Sequence, residues 1–578
     1  MGNWVRLRNH APAAAWPLVL LACGLAPLPA SAENVAPSQI TPGELRPPPP
    51  PTGGVTIANP AGAPAPAGAD KLSISVSKVI VEGGFPQLQA QTDAIVASIR
   101  GRRVTLKTIY DAVAEIERAY AAQGWVLVRV SVPPQKLDNG GTLRLVVIDG
   151  YIETVDVAGI PEKQRGLIAA RLSPLIGQKH IKLDEIERRL LLAADDPALS
   201  LTSTLAHGAA PGGTRLVLDG TQKLVSGSIG FNNELPSSLA TYEWNAALSV
   251  NSALGYGEQF YATATTGYNL GDLFQGTSPV GLVGAGALIP LGNDGFKINP
   301  EYTYSVTRPS PSPGAPPTVG YYQRFDLRAL YPLILTRAQQ LNLQATVEWA
   351  QESLQAVGFS PDLYLDRYAV ARFQAEDRLQ FPFGALADAT LVYSQGLGGR
   401  NASDAAASGI PLSQQGSSPT FSKLGFNGRW NQVLPQGFQG ALIATAQTSF
   451  GAPLFIAEQI GLDGTSAASG YPIGTFTVDQ GATLRAELSH PISHFGPGAL
   501  SLSPYVFGEA GAGQIFQPTF GQQGTIDASS IGVGVRTGLD VVGAPANGTF
   551  SIELARGFSN VPGEGQVYRC NFAVGLNF

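Results

Sequence analysis

From residue 223 to Phe578 the chain shows stretch after stretch of period-two alternation and no long helical periodicity. One stretch sets Leu341, Leu343, Ala345, Val347 and Trp349 on one face and Asn342, Gln344, Thr346 and Glu348 on the other. Such a strand has an apolar side and a wet side. A soluble sandwich turns the apolar side inward and a membrane barrel turns it outward, so alternation alone leaves both open. Length and composition favour the barrel. Divided among 16 strands, the region leaves about 22 residues for each strand and its connection, which suits tilted spanning strands of about 9–11 residues. Only 14% of the residues are charged, against roughly 25% in ordinary soluble domains. A closed cylinder facing lipid pairs every backbone polar group without a matching apolar core. The expected fold class is a transmembrane β-barrel (16 antiparallel strands) over residues 222–578, around a wide aqueous interior.

Residues 1–32 carry Arg6 and Arg8, the apolar stretch Trp16–Leu28 and then Ala30-Ser31-Ala32, the parts of a secretory signal peptide. Cleavage there leaves Cys570 as the one cysteine of the mature chain, and Leu20-Leu21-Ala22-Cys23 offers a rival lipoprotein site. Residues 33–70, with Pro47–Pro51 and an Ala/Pro/Gly mixture, read as an extended linker.

Between linker and barrel two small α/β modules are expected, at 71–150 and 151–221. In the first, Ile74/Val76 and Val79/Val81 mark a strand ending at Gly83-Gly84. A helix over Thr105–Gln123 puts Ile109, Val113, Ile116 and Tyr120 on one face, with Gly124 after it. Alternation then resumes at Val126, Val128, Val130 and Val132, turns at Asp138–Gly141 and continues through Leu143, Leu145 and Val147. The second repeats the pattern with a strand over Ile152–Val157, helices over Glu162–Leu172 and Leu183–Ala193, and a closing strand over Thr214–Leu218.

The run Gly124-Trp125-Val126, Pro134-Gln135, Gly141-x-Leu143-x-Leu145-x-Val147 and Gly150-x-Ile152 resembles the first POTRA domain of two-partner secretion transporters, the haemolysin secretion/activation family. Leu183-x-x-Ile186-Glu187-Arg188-x-Leu190-Leu191-Leu192 with Asp196-Pro197 resembles the second. The resemblance extends into the barrel. Glu458-Gln459-Ile460, Gly461-Leu462-Asp463-Gly464, Ala468-Ser469-Gly470-Tyr471, Asp479-x-Gly481 and Arg485-x-Glu487-Leu488 are similar to that family's signature loop and the strand after it. Tyr568, Phe572, Leu576 and the terminal Phe578 resemble the signal by which outer-membrane barrels are recognised for insertion.

The resemblance implies a loop, about 454–480, folded back into the barrel, whose Val-Arg-Gly-Tyr/Phe tip pairs its arginine with an acidic residue of the inner wall. Here Ser469 stands where the arginine would be, and the acidic position matches Glu509. Alternation turns Tyr505, Phe507 and Glu509 inward, so Glu509 either takes another cation, Arg485 being one candidate, or stays hydrated. Gly464 and Gly470 also suit ordinary turns. The family's amino-terminal plug helix is doubtful, because Pro37 and Pro42 interrupt residues 33–46.

The implied function is an outer-membrane pore that captures the amino-terminal secretion domain of an unfolded exoprotein, adhesin- or haemolysin-like, and passes it to the cell surface without ATP. The POTRA domains would lie in the periplasm. An unpaired strand edge, with Trp125, Val126, Val128, Arg129, Val130 and Val132 as candidate, would hold the client through its main chain. Further partners would be outer-membrane lipids and, during biogenesis, the barrel-assembly machinery. The alternatives are a barrel-assembly factor of the same superfamily and a passive porin or uptake channel.

Other chemistry finds little support. The net charge of -6 leaves no nucleic-acid footprint. His490 and His494 sit beside Pro491 in a turn-like stretch, and neither a phosphate loop nor a nucleophile elbow occurs. Glu348, Glu376, Glu487 and Arg485 read as solvated pore residues, so no enzyme activity, metal or cofactor is expected.

Overall fold

The computed structural model describes residues 35–46, 65–136, 138–269, 271–272, 276–311, 313–465, 467–495, 500–519, 521–540 and 547–578. The signal-peptide reading of residues 1–32 and the proline-rich stretch 47–64 lie outside them.

The first module is a four-stranded sheet in the order Arg102–Thr105, Ser73–Glu82, Gly141–Ile148, Arg129–Ser131. Its main helix, Leu106–Ala122, starts where Thr105 Oγ1 accepts the Thr108 N–H at 3.1 Å and buries Ile109, Val113, Ile116 and Tyr120. It stops at Gly124, whose φ of +93° favours glycine. A second helix, Gln89–Ala97, was not legible: it buries only Thr92, Ile95 and Val96, too few apolar residues to show a period. The expected strand through Trp125–Val132 shrinks to Arg129–Ser131, though it does stand at a sheet edge. Val126 and Leu127 pack instead into the core of the second module, beside Ile152, Leu190 and Leu216. Burial made them apolar, and period two made them look like strand.

The second module is a three-stranded sheet, Tyr151–Gly159, Gly213–Gln222, Leu199–His207, backed by the helices Glu162–Leu172 and Leu183–Ala194. It is tied to the first by Leu183 N–H to the Gly124 carbonyl at 2.8 Å and by His180, whose ring stacks on Phe85 at 4.4 Å. It is tied to the turns at one end of the barrel by Lys297–Asp195 at 2.5 Å, Arg189–Asp294 at 2.7 Å and an Arg337–Glu187 ion pair.

The strands from Val225–Asn232 to Gln566–Asn577 close into an antiparallel barrel. Gln480–Ser489 and Ile492–Phe495 both pair with Leu500–Gln514 and form one interrupted strand, giving 16 in all. The last strand meets the first from Ala573↔Asn232 to Asn577↔Ser228. Lipid-side residues such as Trp349 (49% exposed) alternate with inward ones such as Glu348 (5%). Strands Thr318–Leu335 and Gln339–Ala356 reach 18 residues. At about 3.4 Å per residue they run well beyond a hydrocarbon core of about 30 Å. Of the insertion-signal residues, Tyr568, Leu576 and Phe578 are exposed and Phe572 is half-buried.

Candidate functional site

The lumen is occupied by two pieces of the chain's own sequence. The first is the stretch after Thr448, which folds inward and returns at Gln480. Within it Ile460↔Val478 and Gly461↔Thr477 form a minimal hairpin. Its centre, Leu462, Ala468, Tyr471, Phe476 and Val478, packs on the wall residues Ile515, Ile526 and Ala528. Two aspartates hold its shape. Asp463 accepts the N–H groups of Gly474 and Phe476, and Asp479 accepts those of Leu454 at 2.9 Å and Phe516 at 2.7 Å. Gly481, the second residue of the strand that leaves the loop, is paired with Gly513.

At the loop's tip the Ser469 N–H donates to Glu509 Oε1, while its carbonyl accepts from Asn571 Nδ2 at 2.8 Å. The Gly470 N–H donates to Ser530 Oγ at 3.0 Å, and Tyr471 OH to the Glu564 carbonyl at 2.7 Å. Gly470 is required here: a Cβ would lie 2.6 Å from Gly557 Cα. The Ser469 side chain is buried at the tip.

Arg485 is the cation for Glu509. Its Nη1 donates to Glu509 at 2.8 Å, Nε to Glu487 at 2.7 Å and Nη2 to Glu553 at 2.6 Å, and its guanidinium lies 3.9 Å from the Phe507 ring centre. Arg536 makes two further bonds to Glu487, each 2.8 Å. Of the two options open for Glu509, a substitute cation and hydration, the geometry takes the first. Three carboxylates here face two cations.

The loop's base is held differently. Glu458, 1% exposed, receives Arg372 at 2.7 Å, Lys423 at 2.8 Å and Tyr368 OH at 3.0 Å, and Arg372 also grips Glu348 through two bonds. Two carboxylates here balance two cations. Sequence reasoning quoted Glu458 as part of a motif without giving it this role. Glu348, Glu487 and Arg485, read as solvated, are all under 10% exposed, each enclosed in an ion-pair cluster of the wall. Glu376 is half-buried at the barrel mouth.

The second occupant is residues 35–46, which composition assigned to a linker. Among the described residues of this stretch the helix is a single turn, Pro37–Ile40. The stretch descends from Thr307 and Glu352 near one barrel end to Arg46, which lines a cavity of about 320 Å³ at the end where the modules dock. Its polar contacts run largely through its backbone, to which composition is blind.

That same cavity is also lined by Leu199 and Leu201 of the second module and by Gln340, Asn342 and Gln344 of the barrel. Leu199–His207 is an edge strand nine residues long, against three for Arg129–Ser131. Of the candidate edge residues, Val126, Val128 and Val130 are buried, while Trp125, Arg129 and Val132 are half-buried.

The family described as haemolysin secretion/activation protein ShlB/FhaC/HecB matches residues 212–537, and the ShlB-type POTRA domain matches residues 74–150. The outer membrane transporter CdiB of Escherichia coli O6:K15:H31 (strain 536 / UPEC) is 23% identical over 196 residues, 34% of this chain. The match spans 33% of that relative's length. Among solved structures, CdiB from Escherichia coli has a TM-score of 0.65 at 17% identity, covering 94% of each chain. CdiB from Acinetobacter baumannii has 0.58 at 13%, covering 88% of this chain and 90% of that one. BamA from Haemophilus ducreyi lacking POTRA domains 1–3 has 0.50 at 12%, covering 88% and 100%. At these identities the structures speak for the fold.

Proposed function

Because the chain belongs to the haemolysin secretion/activation family ShlB/FhaC/HecB, we propose that it captures one unfolded exoprotein in the periplasm and passes it through the barrel to the cell surface without ATP. It is an outer-membrane transporter, and its POTRA domains lie in the periplasm. The observation that carries the finer reading is the continuity between an open sheet edge and an occupied lumen. Leu199–His207 offers a row of main-chain donors and acceptors, and its first residues line the mouth through which residues 35–46 enter. An extended client added along that edge arrives at the pore already extended. Side chains on alternate positions supply selectivity, and Arg129–Ser131 gives the first module a shorter edge of the same kind. Folding of the client outside removes the unfolded species and draws transport forward, so no nucleotide is needed.

Two prolines introduced within the Leu199–His207 edge, with barrel insertion checked by heat-modifiable gel mobility, test this. Loss of one surface protein with an intact outer-membrane proteome is expected. A general loss of barrels points to an assembly factor, and unchanged export with altered solute uptake points to a passive channel.

A further inference from the structure

The wall facing residues 35–46 meets them through their main chain. The Val35 carbonyl accepts from Thr307 Oγ1 at 3.3 Å, the Pro42 carbonyl from Arg324 at 3.0 Å and the Gly43 carbonyl from Arg328 at 3.4 Å. The N–H groups of Ser38 and Leu45 donate to Glu352 and Glu301, each at 3.1 Å. Side chains take part as well: Ser38 Oγ bonds Glu352, Gln39 bonds Thr477, Val35 and Ile40 pack near Leu239, Pro37 lies against Gly320 and Leu45 against Gly284.

These wall groups are held in place independently of the segment. The side chains of Glu301, Arg324 and Arg328 are 0%, 5% and 3% exposed. Tyr261 OH donates to Glu301 at 2.7 Å, Asn299 Oδ1 accepts from Arg328 at 3.1 Å, and Asp326 accepts from Arg328 at 2.7 Å. On these two strands the two carboxylates, Glu301 and Asp326, are matched by the two guanidiniums, and Glu352 stands on the next strand. Along the strand Lys297–Thr307, the inward positions between Glu301 and Thr307 are Thr303 and Ser305. Both are fully buried, and neither hydroxyl has a hydrogen-bond partner among the described residues.

We propose that the inward face of Lys297–Thr307 and Thr318–Leu335 is a binding site for peptide main chain, filled at rest by residues 35–46 and by an extended cargo segment during export. The cargo part rests on the export reading above. Bonds to carbonyl and N–H groups carry no side-chain information, so these main-chain contacts are open to a cargo of different composition. The hydroxyls of Thr303 and Ser305 let a main chain in a shifted register find partners. Exchange also keeps satisfied the bonds that Arg324 and Arg328 make to main-chain carbonyls beyond their own wall partners.

The test needs no client. The chain lacking residues 35–46, its barrel checked by heat-modifiable gel mobility, is placed in planar bilayers with a synthetic peptide of residues 35–46 or a scrambled version of it. Both peptides should block conductance at concentrations within about threefold of each other, and Arg324→Met with Arg328→Met should raise both concentrations about tenfold, the loss expected for charged hydrogen bonds. A scrambled peptide that needs more than about thirtyfold higher concentration overturns the proposal. So does a double variant that is blocked as before. In the full-length chain, a photo-crosslinking residue at Thr303 should join residues 35–46 and should switch to added biotinylated peptide at high concentration; failure to capture peptide equally overturns it. Because neither assay involves export, failure of the export reading leaves these results standing.

Discussion

The two ends of the inward loop are fastened by different chemistry. At the base the loop contributes a charged side chain, Glu458, to a balanced set with Arg372, Lys423 and Glu348. At the tip it contributes backbone, the Ser469 N–H, to a wall whose carboxylates outnumber its cations. A charged anchor fixes which residue must be present. A backbone anchor fixes only the path of the chain, so an arginine can be replaced by serine once the wall has its own cation in Arg485.

The sharpest way to break this contrast is Glu458→Ala, which leaves Arg372 and Lys423 buried beside a single carboxylate. Removing one partner from such a set costs about 3–5 kcal/mol, and should lower the temperature at which the barrel loses its heat-modifiable mobility while raising basal conductance. An unchanged transition would place the loop's hold elsewhere. Gly470→Ala acts on the tip. The new methyl group meets Gly557 at 2.6 Å, and overpacking of this kind costs about 1–3 kcal/mol. Tip and base should therefore both matter to basal conductance, the base more.

Asp196 extends the comparison outside the membrane, to a carboxylate with no bidentate cation. Burial raises its pKa to about 6, against weaker opposing effects of Arg171 and a hydrogen bond from Ser252. The folded state thus holds the proton more tightly than the unfolded one, so this group's stabilisation is full below the ordinary carboxylate pKa and is lost as pH rises through about 6. Going from pH 7 to 5 should stabilise the docked second module by about 1 kcal/mol, read as a calorimetric shift that Asp196→Asn removes. A shift that survives the substitution assigns it to another group.

The smallest effects belong to Ser469. Ser469→Ala keeps the N–H that meets Glu509, so stability should stay within about 0.5 kcal/mol. Ser469→Arg would bring a third cation to three carboxylates and should lower basal ion conductance in planar bilayers. Equal or higher conductance would show that Arg485 and Arg536 already suffice.

How much of this was legible follows the same division. Period two exposed the barrel because lipid and lumen impose opposite demands on neighbouring residues. The loop's glycines, aspartates and Tyr471 stood out as a motif, and Glu509 with Arg485 could be paired because alternation put both on one face. Glu458 lay within the quoted motif, yet nothing local linked it to Arg372, 86 residues away. Residues 35–46 were misread as linker because their fastening lies in carbonyl and N–H groups that every sequence has. Val126 and Leu127 misled for the opposite reason: an alternating run can serve two cores as easily as one strand.

Those two residues also set a geometry. Since the first module lends part of its chain to the interior of the second, and the second is riveted to the barrel's turns, the pair behaves as a stiff bracket rather than a string of beads. On the proposed export reading, whatever the outer module grasps would be presented at a set distance beneath the opening, so the length of cargo needed to span from grasp to gate would be a property of this scaffold, measurable like a ruler with clients shortened residue by residue.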